Sequence, residues 1–435
     1  MVLSLLVVVV VASRLPFLGA AYGKDPDASR VFIVARELVE TKVYMPSRLP
    51  GYPVQEFFTA LLVRGGPWAV NGMACFMGCV ATAAFALWLR RLGLKSYWAL
   101  ALGFACVPVI YINSASNMDY VWALAFVMCA VLLATDGRPL ASGICLGLAI
   151  GTRLSSGAML LPLALLVAAK TPTWRQRARA LLRLWPAALV VGALCYIPVF
   201  AKFGINILPE PGGKVAVNVA MLRGTIDVWG LLGCIALGWA AFAAILARGK
   251  TNNPLPRRER IWVSAACSAA VLLYAIAYAK MPLESGYLVP LVPFAIALPA
   301  LWLPNWSSLV FAALLCLSPF VGSLHKGRLT RGAIFEDHAV REGQIRRVAR
   351  ILERARELPP ESIVLTGSDL PSILATLPGD SPECVRFTSF VRSQDQYEHL
   401  MREGRIIYFL DRSTRHYQQR IYPIRSRSVW GHLLL

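Results

Sequence analysis

Two aspartates separated by a single proline, Asp25 and Asp27, are the residues whose type and spacing most directly suggest chemistry. A carboxylate can take the proton of an attacking hydroxyl, and paired carboxylates can also hold a divalent cation. Aspartate is favoured just before a helix and proline fits the first helical position, so Asp25 is explained as an N-cap. Asp27 has no equally obligatory structural duty. The pair marks a candidate site, and a metal site at these two residues stays open.

Two arginines could offset negative charge near these acids. Arg153 lies between two short apolar runs, where an arginine is costly unless it is paired or hydrated. It could stabilise an anionic group, or it could extend to the membrane interface as an ordinary helix-end residue. Arg48 and Tyr52 lie in a proline-rich segment, where they could line the same cavity or belong to a surface turn.

Three further polar residues stand where apolar runs begin. Asp119 follows the polar stretch 113–117, which could orient a reactive group or form an ordinary helix cap with Asp119 in the first turn. Glu284 and Tyr287 enter a late apolar run, where they could contact a substrate or lie in a solvated loop. Each of these residues therefore has both a functional and a structural interpretation.

The elements that must position these residues form a ladder of apolar stretches. Hydrophobic residues make up 57% of the chain and charged residues 16%, so the bilayer must serve as solvent for much of its surface. The long loop after the first stretch contains an amphipathic segment, 28–42, expected to lie on the membrane surface. About eleven crossings are predicted, near 1–19, 68–89, 96–112, 119–134, a pair of short helices within 140–169, 185–201, 228–247, 261–279, 287–303 and 308–322.

Charge sorting along the ladder predicts the orientation. Alternate loops hold nearly every acid before residue 322, and the loops between them are rich in lysine and arginine. Basic loops resist translocation, so the acidic side is expected to face out. The formal net charge of +20 is then explained by topology and anionic inner-leaflet lipid, without nucleic acid. The predicted cytoplasmic loops are 90–95, 135–139, 170–183 and 248–260.

The composition changes after about residue 322, where charges of both signs interleave. We predict a membrane domain over residues 1–322 and a soluble α/β domain over 323–435. The first span is predicted to run from inside to outside and the number of crossings is odd, so this domain is expected on the extracytoplasmic side. Its expected elements are a helix at 338–358, a strand at 362–366, a helix after Asp369, a strand near 385–387, a helix at 394–403 and a strand at 405–410.

Cysteine and histidine do not indicate a metal site. Nine of the ten cysteines lie in predicted spans, where cysteine serves as a small apolar residue, and the five histidines show no metal-ligand spacing.

The motifs of the acidic loops, taken in order, resemble those of the GT-C superfamily of membrane glycosyltransferases. That family includes protein O-mannosyltransferases and lipid A aminoarabinose transferases, which use sugars carried on polyprenyl phosphate. The resemblance covers about three quarters of the chain, the membrane part. The segments that carry it are Arg14-Leu15-Pro16-Phe17-Leu18, Asp25-Pro26-Asp27, Tyr44 to Pro53, Gln55-Glu56-Phe57, Asn117-Met118-Asp119, Gly147 to Gly157 with Arg153, and Pro282 to Pro290.

The resemblance implies that an aspartate of the first external loop is the general base in an inverting transfer. The Asp-Glu pair usual in several subfamilies is here Asp25-Pro26-Asp27, and we favour Asp27 because capping already accounts for Asp25. Arg153 is then the candidate for stabilising the departing polyprenyl phosphate. Arg48, Tyr52, Asp119, Glu284 and Tyr287 are the remaining candidates for substrate binding.

The implied donor is a polyprenyl-phosphate sugar, and the implied acceptor is a hydroxyl of a glycan, lipid or protein. A monophosphate leaving group requires no divalent metal, although Asp25 and Asp27 could hold one. The expected location is a bacterial plasma membrane, with membrane lipids and no nucleic acid as partners.

A transporter or flippase of a lipid-linked substrate is the main alternative. Broken helices and intramembrane charge favour it, whereas acids clustered in the loops of one face and the lack of visible inverted repeats argue against it. A receptor that senses a ligand through the external domain is a third possibility, but eleven spans exceed what anchoring needs.

Overall fold

The computed structural model describes residues 1–204, 216–247, 254–325, 328–359 and 362–377, and three short strands at 385–388, 407–410 and 421–423. Helices dominate this part of the chain. In order they are α1 (Val2–Arg14), α2 (Pro26–Thr41), α3 (Pro53–Ala60), α4 (Gly66–Arg91), α5 (Tyr97–Cys106), α6 (Pro108–Asn113), α7 (Asp119–Thr135), α8 (Pro139–Thr152), α9 (Leu160–Lys170), α10 (Trp174–Phe203), α11 (Val217–Ala247), α12 (Arg257–Lys280), α13 (Val292–Ala300), α14 (Asn305–Leu317), α15 (Ala333–Ala355) and α16 (Leu370–Thr376).

Four of the described helices, α4, α10, α11 and α12, are long and apolar enough to cross a membrane. Seven shorter apolar helical segments of 10–17 residues accompany them. The chain is therefore a multi-pass membrane protein, and the total of about eleven crossings stays a prediction.

One helix extends well beyond its predicted start. The prediction that 174–183 belong to a loop was wrong, because α10 begins at Trp174 and Thr173 caps it by accepting a hydrogen bond from Gln176 N at 3.4 Å. Arginine, alanine and leucine fill this stretch and are strong helix formers, so the helix continues through the charged residues. Segment α11 also begins before its predicted start, at Val217, but Gly230 breaks it with φ 68° and ψ 174°, and the part after the break matches the span predicted near 228–247.

Charged connections meet at one end of the bundle, which we call the basic end. There Arg91 Nε lies 2.8 Å from Asp136 Oδ1, and this ion pair joins the end of α4 to the connection after α7. Lys170 Nζ lies 2.8 Å from Glu259 Oε2, which joins the end of α9 to the start of α12. The opposite end, which we call the acidic end, carries α2, α3 and the break between α8 and α9.

A glycine stripe brings α8 against α10. Gly143, Gly147 and Gly151 recur every four residues and face α10, where a Cβ on Gly147 would meet Val191 Cβ at 2.5 Å. Small residues at this spacing allow two helix backbones to approach closely in a membrane. This packing fixes the end of α8, where the predicted break is confirmed: the helix ends at Thr152, and Arg153 is extended with φ −147° and ψ 119°.

The C-terminal part contains a hairpin and a mixed sheet. Strands β1 (Ser323–His325) and β2 (Arg328–Thr330) pair antiparallel. The second sheet contains β3 (Ser362–Leu365), β4 (Val385–Thr388), β5 (Ile407–Leu410) and β6 (Ile421–Pro423). Their order is β4-β3-β5-β6, with β3 parallel to β4 and β5, and β6 antiparallel to β5. The predicted strands are confirmed, whereas the predicted helix 394–403 lies outside the described residues, and the domain division at 322 stays a prediction.

Replacing Gly147 by leucine is expected to push α8 away from α10 and to destabilise the protein by about 1–3 kcal/mol through overpacking. Gly238→Leu is the matched control, because a Cβ at this helical position meets nothing within 4 Å. The measurement is the Tm of the detergent-solubilised protein. Equal Tm values for both variants would contradict close packing of α8 on α10.

Candidate active site

Asp25 and Asp27 lie at the N-terminus of α2, as the sequence predicts. Asp25 is the N-cap, because its Oδ1 accepts a hydrogen bond from Asp27 N at 2.8 Å. Burial raises the pKa of the Asp25 carboxyl above its usual range, and the nearby Arg48 and Arg30 oppose this shift. Asp27 is 9% exposed, and its Oδ1 lies 2.9 Å from Arg30 Nη1. Arg30 was missed in the sequence, although its i+3 spacing from Asp27 is the usual one for a helical ion pair.

Arg48 joins the first loop to the rest of the site. Its guanidinium is hydrogen-bonded to the Asp27 carboxylate, its Nε donates to Tyr52 Oη at 2.5 Å, and its Nη1 lies 3.9 Å from Glu284 Oε1. Burial raises the pKa of Tyr52 to about 12, so its hydroxyl stays protonated at neutral pH. Arg48 and Tyr52 thus belong to the same cluster as the aspartates rather than to a separate surface turn.

Glu56 holds the loop that carries Arg48. Its carboxylate accepts hydrogen bonds from the Tyr44 hydroxyl, from Ser47 N at 2.7 Å and from Tyr52 N at 3.2 Å. The residue is fully buried, and burial raises the pKa of the Glu56 carboxyl while the hydrogen bonds from Ser47 and Tyr44 oppose the shift. Glu56 is not among the site residues predicted from the sequence. Its carboxylate fixes the loop conformation that aims Arg48 at Asp27.

Arg153 pairs with Asp119 at the start of α7. The two side chains are 11% and 3% exposed, so Arg153 is a buried, paired residue and does not extend to the interface. Its guanidinium carbon also lies 4.2 Å from the Tyr120 ring centre, 5.4 Å from that of Tyr287 and 5.7 Å from that of Tyr52. Asp119 is in the first helical turn and caps nothing, because its neighbour Met118 is the N-cap.

Glu284 completes the cluster from the segment before α13. It accepts a hydrogen bond from the Tyr120 hydroxyl and lies near Arg48, so it is not in a separate solvated loop. Tyr287, one short 3₁₀ turn later, contacts Tyr120 with ring centres 6.1 Å apart. Tyr120 was not singled out from the sequence, although it directly follows Asp119 at a helix start.

All eight predicted site residues therefore lie in one contiguous cluster at the acidic end, which we call the Asp/Arg cluster. Its members come from α2, the loop before α3, α7, the α8 break and the segment before α13. The residues are Asp25, Asp27, Arg48, Tyr52, Asp119, Arg153, Glu284 and Tyr287, with Arg30 and Tyr120 added by the structure.

Asp25, Asp27 and Glu284 could together offer three carboxylate oxygens to a cation, because these atoms lie within 4.8 Å of one another. Arg48 already contacts two of the three residues. A divalent cation would therefore have to displace the Arg48 guanidinium, and the metal site stays a hypothesis.

The polar stretch before Asp119 has mainly structural contacts. Asn113 Nδ2 donates to Val109 O at 2.7 Å, within its own helix. Asn117 donates to Ala28 O at 3.1 Å and accepts from Gln55 Nε2 at 3.0 Å. Asn117 thus ties α2 and α3 to the start of α7, which fixes where the aspartates of α2 lie relative to Asp119.

Helix α15 of the C-terminal part fastens the loops that carry the acids. Arg341 Nη1 donates to Ala20 O at 3.1 Å and to Ala115 O at 3.0 Å, one acceptor in the loop before Asp25 and one before Asp119. Gln344 Nε2 donates to Lys24 O at 2.8 Å. Arg341 is fully buried and its Nε lies 2.9 Å from Asp337 Oδ2. The C-terminal part therefore contacts the site's framework.

Comparison with known proteins gives one informative match. No protein-family model and no curated protein matches this chain. The crystal structure of ArnT from Cupriavidus metallidurans in the apo state matches it with a TM-score of 0.62, over 93% of this chain and 92% of that chain. This chain has the ArnT fold. The likeness supports the α-helical membrane fold expected from the motifs. At 15% sequence identity, the likeness to ArnT concerns the fold alone.

Arg341→Ala is expected to destabilise the protein by about 3–5 kcal/mol, because it leaves Asp337 buried without its charge partner. The control is Arg346→Ala on the same helix, whose i,i+4 pair with Glu342 is exposed and therefore weak. Thermal unfolding should show a lower Tm for the first variant only. An unchanged Tm for Arg341→Ala would mean that α15 does not fasten the loops.

Proposed function

We propose that this protein is a GT-C-type glycosyltransferase that moves a sugar from a polyprenyl-phosphate donor to an acceptor hydroxyl. The observation that supports this most strongly is the Asp/Arg cluster itself. Four carboxylates and three guanidiniums converge at one end of an ArnT-like helical bundle. A carboxylate that could act as a base therefore lies close to guanidiniums that could stabilise an anion. We further propose that this end faces the outer side of the membrane.

The reaction forms one bond and breaks another at the anomeric carbon of the sugar. The acceptor oxygen attacks from the face opposite the phosphate, its proton passes to Asp27, and the carbon–oxygen bond to phosphate breaks with its electron pair on the phosphate oxygen. Configuration at the anomeric carbon is inverted. A positioned carboxylate typically contributes about 10²–10⁴-fold to such a step.

Asp27 can act as a base only after its own ion pair is loosened. Both of its oxygens are held by arginines, Oδ1 by Arg30 and Oδ2 by Arg48, so a proton can bind there only in competition with a guanidinium. The donor phosphate is an alternative partner for Arg48. We propose that donor binding draws Arg48 from Asp27 to the phosphate, so that the base is freed only when a leaving group is present.

Arg153 is the second proposed contact of the phosphate. Asp119 engages Nη1 of its guanidinium, which leaves further N–H donors for an anionic ligand. Three tyrosine rings surround Arg153 and keep it in place. Tyr52 and Tyr120 are buried, and the partly exposed Tyr287 offers a surface for a sugar or an isoprenoid. With Arg48 and Arg153 both at the phosphate, the proposed mechanism routes no step through a metal.

Sugar release from radiolabelled polyprenyl-phosphate donors is the direct test, with the purified full chain and a panel of donor sugars. Asp27→Asn is expected to lower the rate about 10²–10⁴-fold while donor binding persists. Asp25→Asn should lose much less, because an asparagine side chain can still cap α2. Glu37→Gln is the matched control, since Glu37 is an exposed carboxylate of the same helix.

A larger loss of rate in Asp25→Asn than in Asp27→Asn would assign the base to Asp25.

A transporter or flippase would move the lipid-linked sugar between the leaflets of a vesicle and would release no sugar. Loss of leaflet exchange in Asp27→Asn, with no sugar released by the unmodified protein from any donor, would therefore replace the proposed transfer by transport.

A further inference from the structure

A second candidate site lies at the basic end of the bundle, remote from the Asp/Arg cluster. A cavity of about 320 Å³ opens there between α7, α8, α9 and α10. Three cationic side chains line it, Lys170, Arg179 and Arg183, together with the polar residues Thr171 and Gln176. No acidic residue is among its lining residues in the part of the chain that the structure describes.

The cations of this cavity are incompletely neutralised. Lys170 pairs with Glu259, whereas Arg179 and Arg183 have no carboxylate within 4.0 Å among the described residues. Guanidiniums are favourable partners for a phosphate group, because their N–H donors match its oxygens.

The surroundings of the cavity place it at the depth of lipid headgroups. Trp174, one turn before the cavity, is 73% exposed, and Trp185, just after it, is also exposed. Exposed tryptophans are enriched at the membrane–water interface. Beyond the cavity, α10 presents exposed apolar side chains, including Leu189 and Leu194. A lipid whose charged headgroup occupies the cavity could therefore place its hydrocarbon tails along α10.

We propose that this cavity binds the phosphate headgroup of an anionic phospholipid, with the acyl chains lying along the apolar face of α10. The cations of the cavity can bind a negatively charged headgroup, and the apolar face of α10 beyond them can contact acyl chains. A soluble phosphate would contact the cations only. Basic pockets between membrane helices are suited to anionic headgroups for the same electrostatic reason.

Native mass spectrometry of the full chain with added phosphatidylglycerol tests this site. Removing two cations near an anionic headgroup is expected to weaken binding roughly 30-fold in the Arg179→Gln, Arg183→Gln double variant. The control is the Arg90→Gln, Arg175→Gln double variant, which removes the same charge from exposed residues of the basic end outside the cavity. It should bind like the unmodified protein.

Two further measurements separate the possible ligands. Phosphatidylcholine should bind far more weakly than phosphatidylglycerol, and inorganic phosphate at millimolar concentration should not raise the Tm as the anionic lipid does. Protection by phosphate equal to that by lipid would overturn the lipid assignment in favour of a soluble anion. Equal weakening in both double variants would overturn the site itself and leave only general charge attraction.

Discussion

Mutual pairing of buried charges is the constraint on which the acidic end depends. Asp27, Asp119 and Glu284 lie in a partly desolvated setting, and each is held by an arginine or a tyrosine. A buried charge without a partner is costly, so each element that supplies one member of a pair must be placed relative to the element that supplies the other. The glycine packing of α8 on α10 and the contacts of Asn117 provide this placement.

This constraint explains why so many structural devices converge on a few side chains. Glu56 shapes the loop that aims Arg48, and Arg341 joins the two loops that precede Asp25 and Asp119. None of these supporting residues needs to contact a substrate. They matter because an ion pair loses much of its energy when one partner moves by an ångström or more in a low-dielectric setting.

The sequence was sufficient to predict most of the elements and eight members of the Asp/Arg cluster, but not Arg30, Tyr120 or how the members pair. Asp25 could be recognised as an N-cap and Arg153 as a break between short helices, because both signals are local. That Arg48 would join Asp27 and Arg153 would join Asp119 depends on contacts 21 and 34 residues apart along the chain, for which no local pattern exists. The role of Glu56 could not be predicted for the same reason, because its three hydrogen bonds form only in the folded loop and no local sequence pattern indicates them.

Two helix N-termini point their positive ends into the Asp/Arg cluster, and they bear on its substrate. Asp25 caps α2 and Asp119 lies in the first turn of α7, so both helices add partial positive charge to that of the three arginines. The four carboxylates are thus balanced by arginines and helix dipoles together. In the proposed mechanism, a donor phosphate that takes Arg48 from Asp27 leaves one carboxylate without that partner, and Asp27 loses its charge when it accepts the proton of the attacking hydroxyl. A neutral substrate would not draw Arg48 away, so the proposed exchange favours a substrate that carries a phosphate.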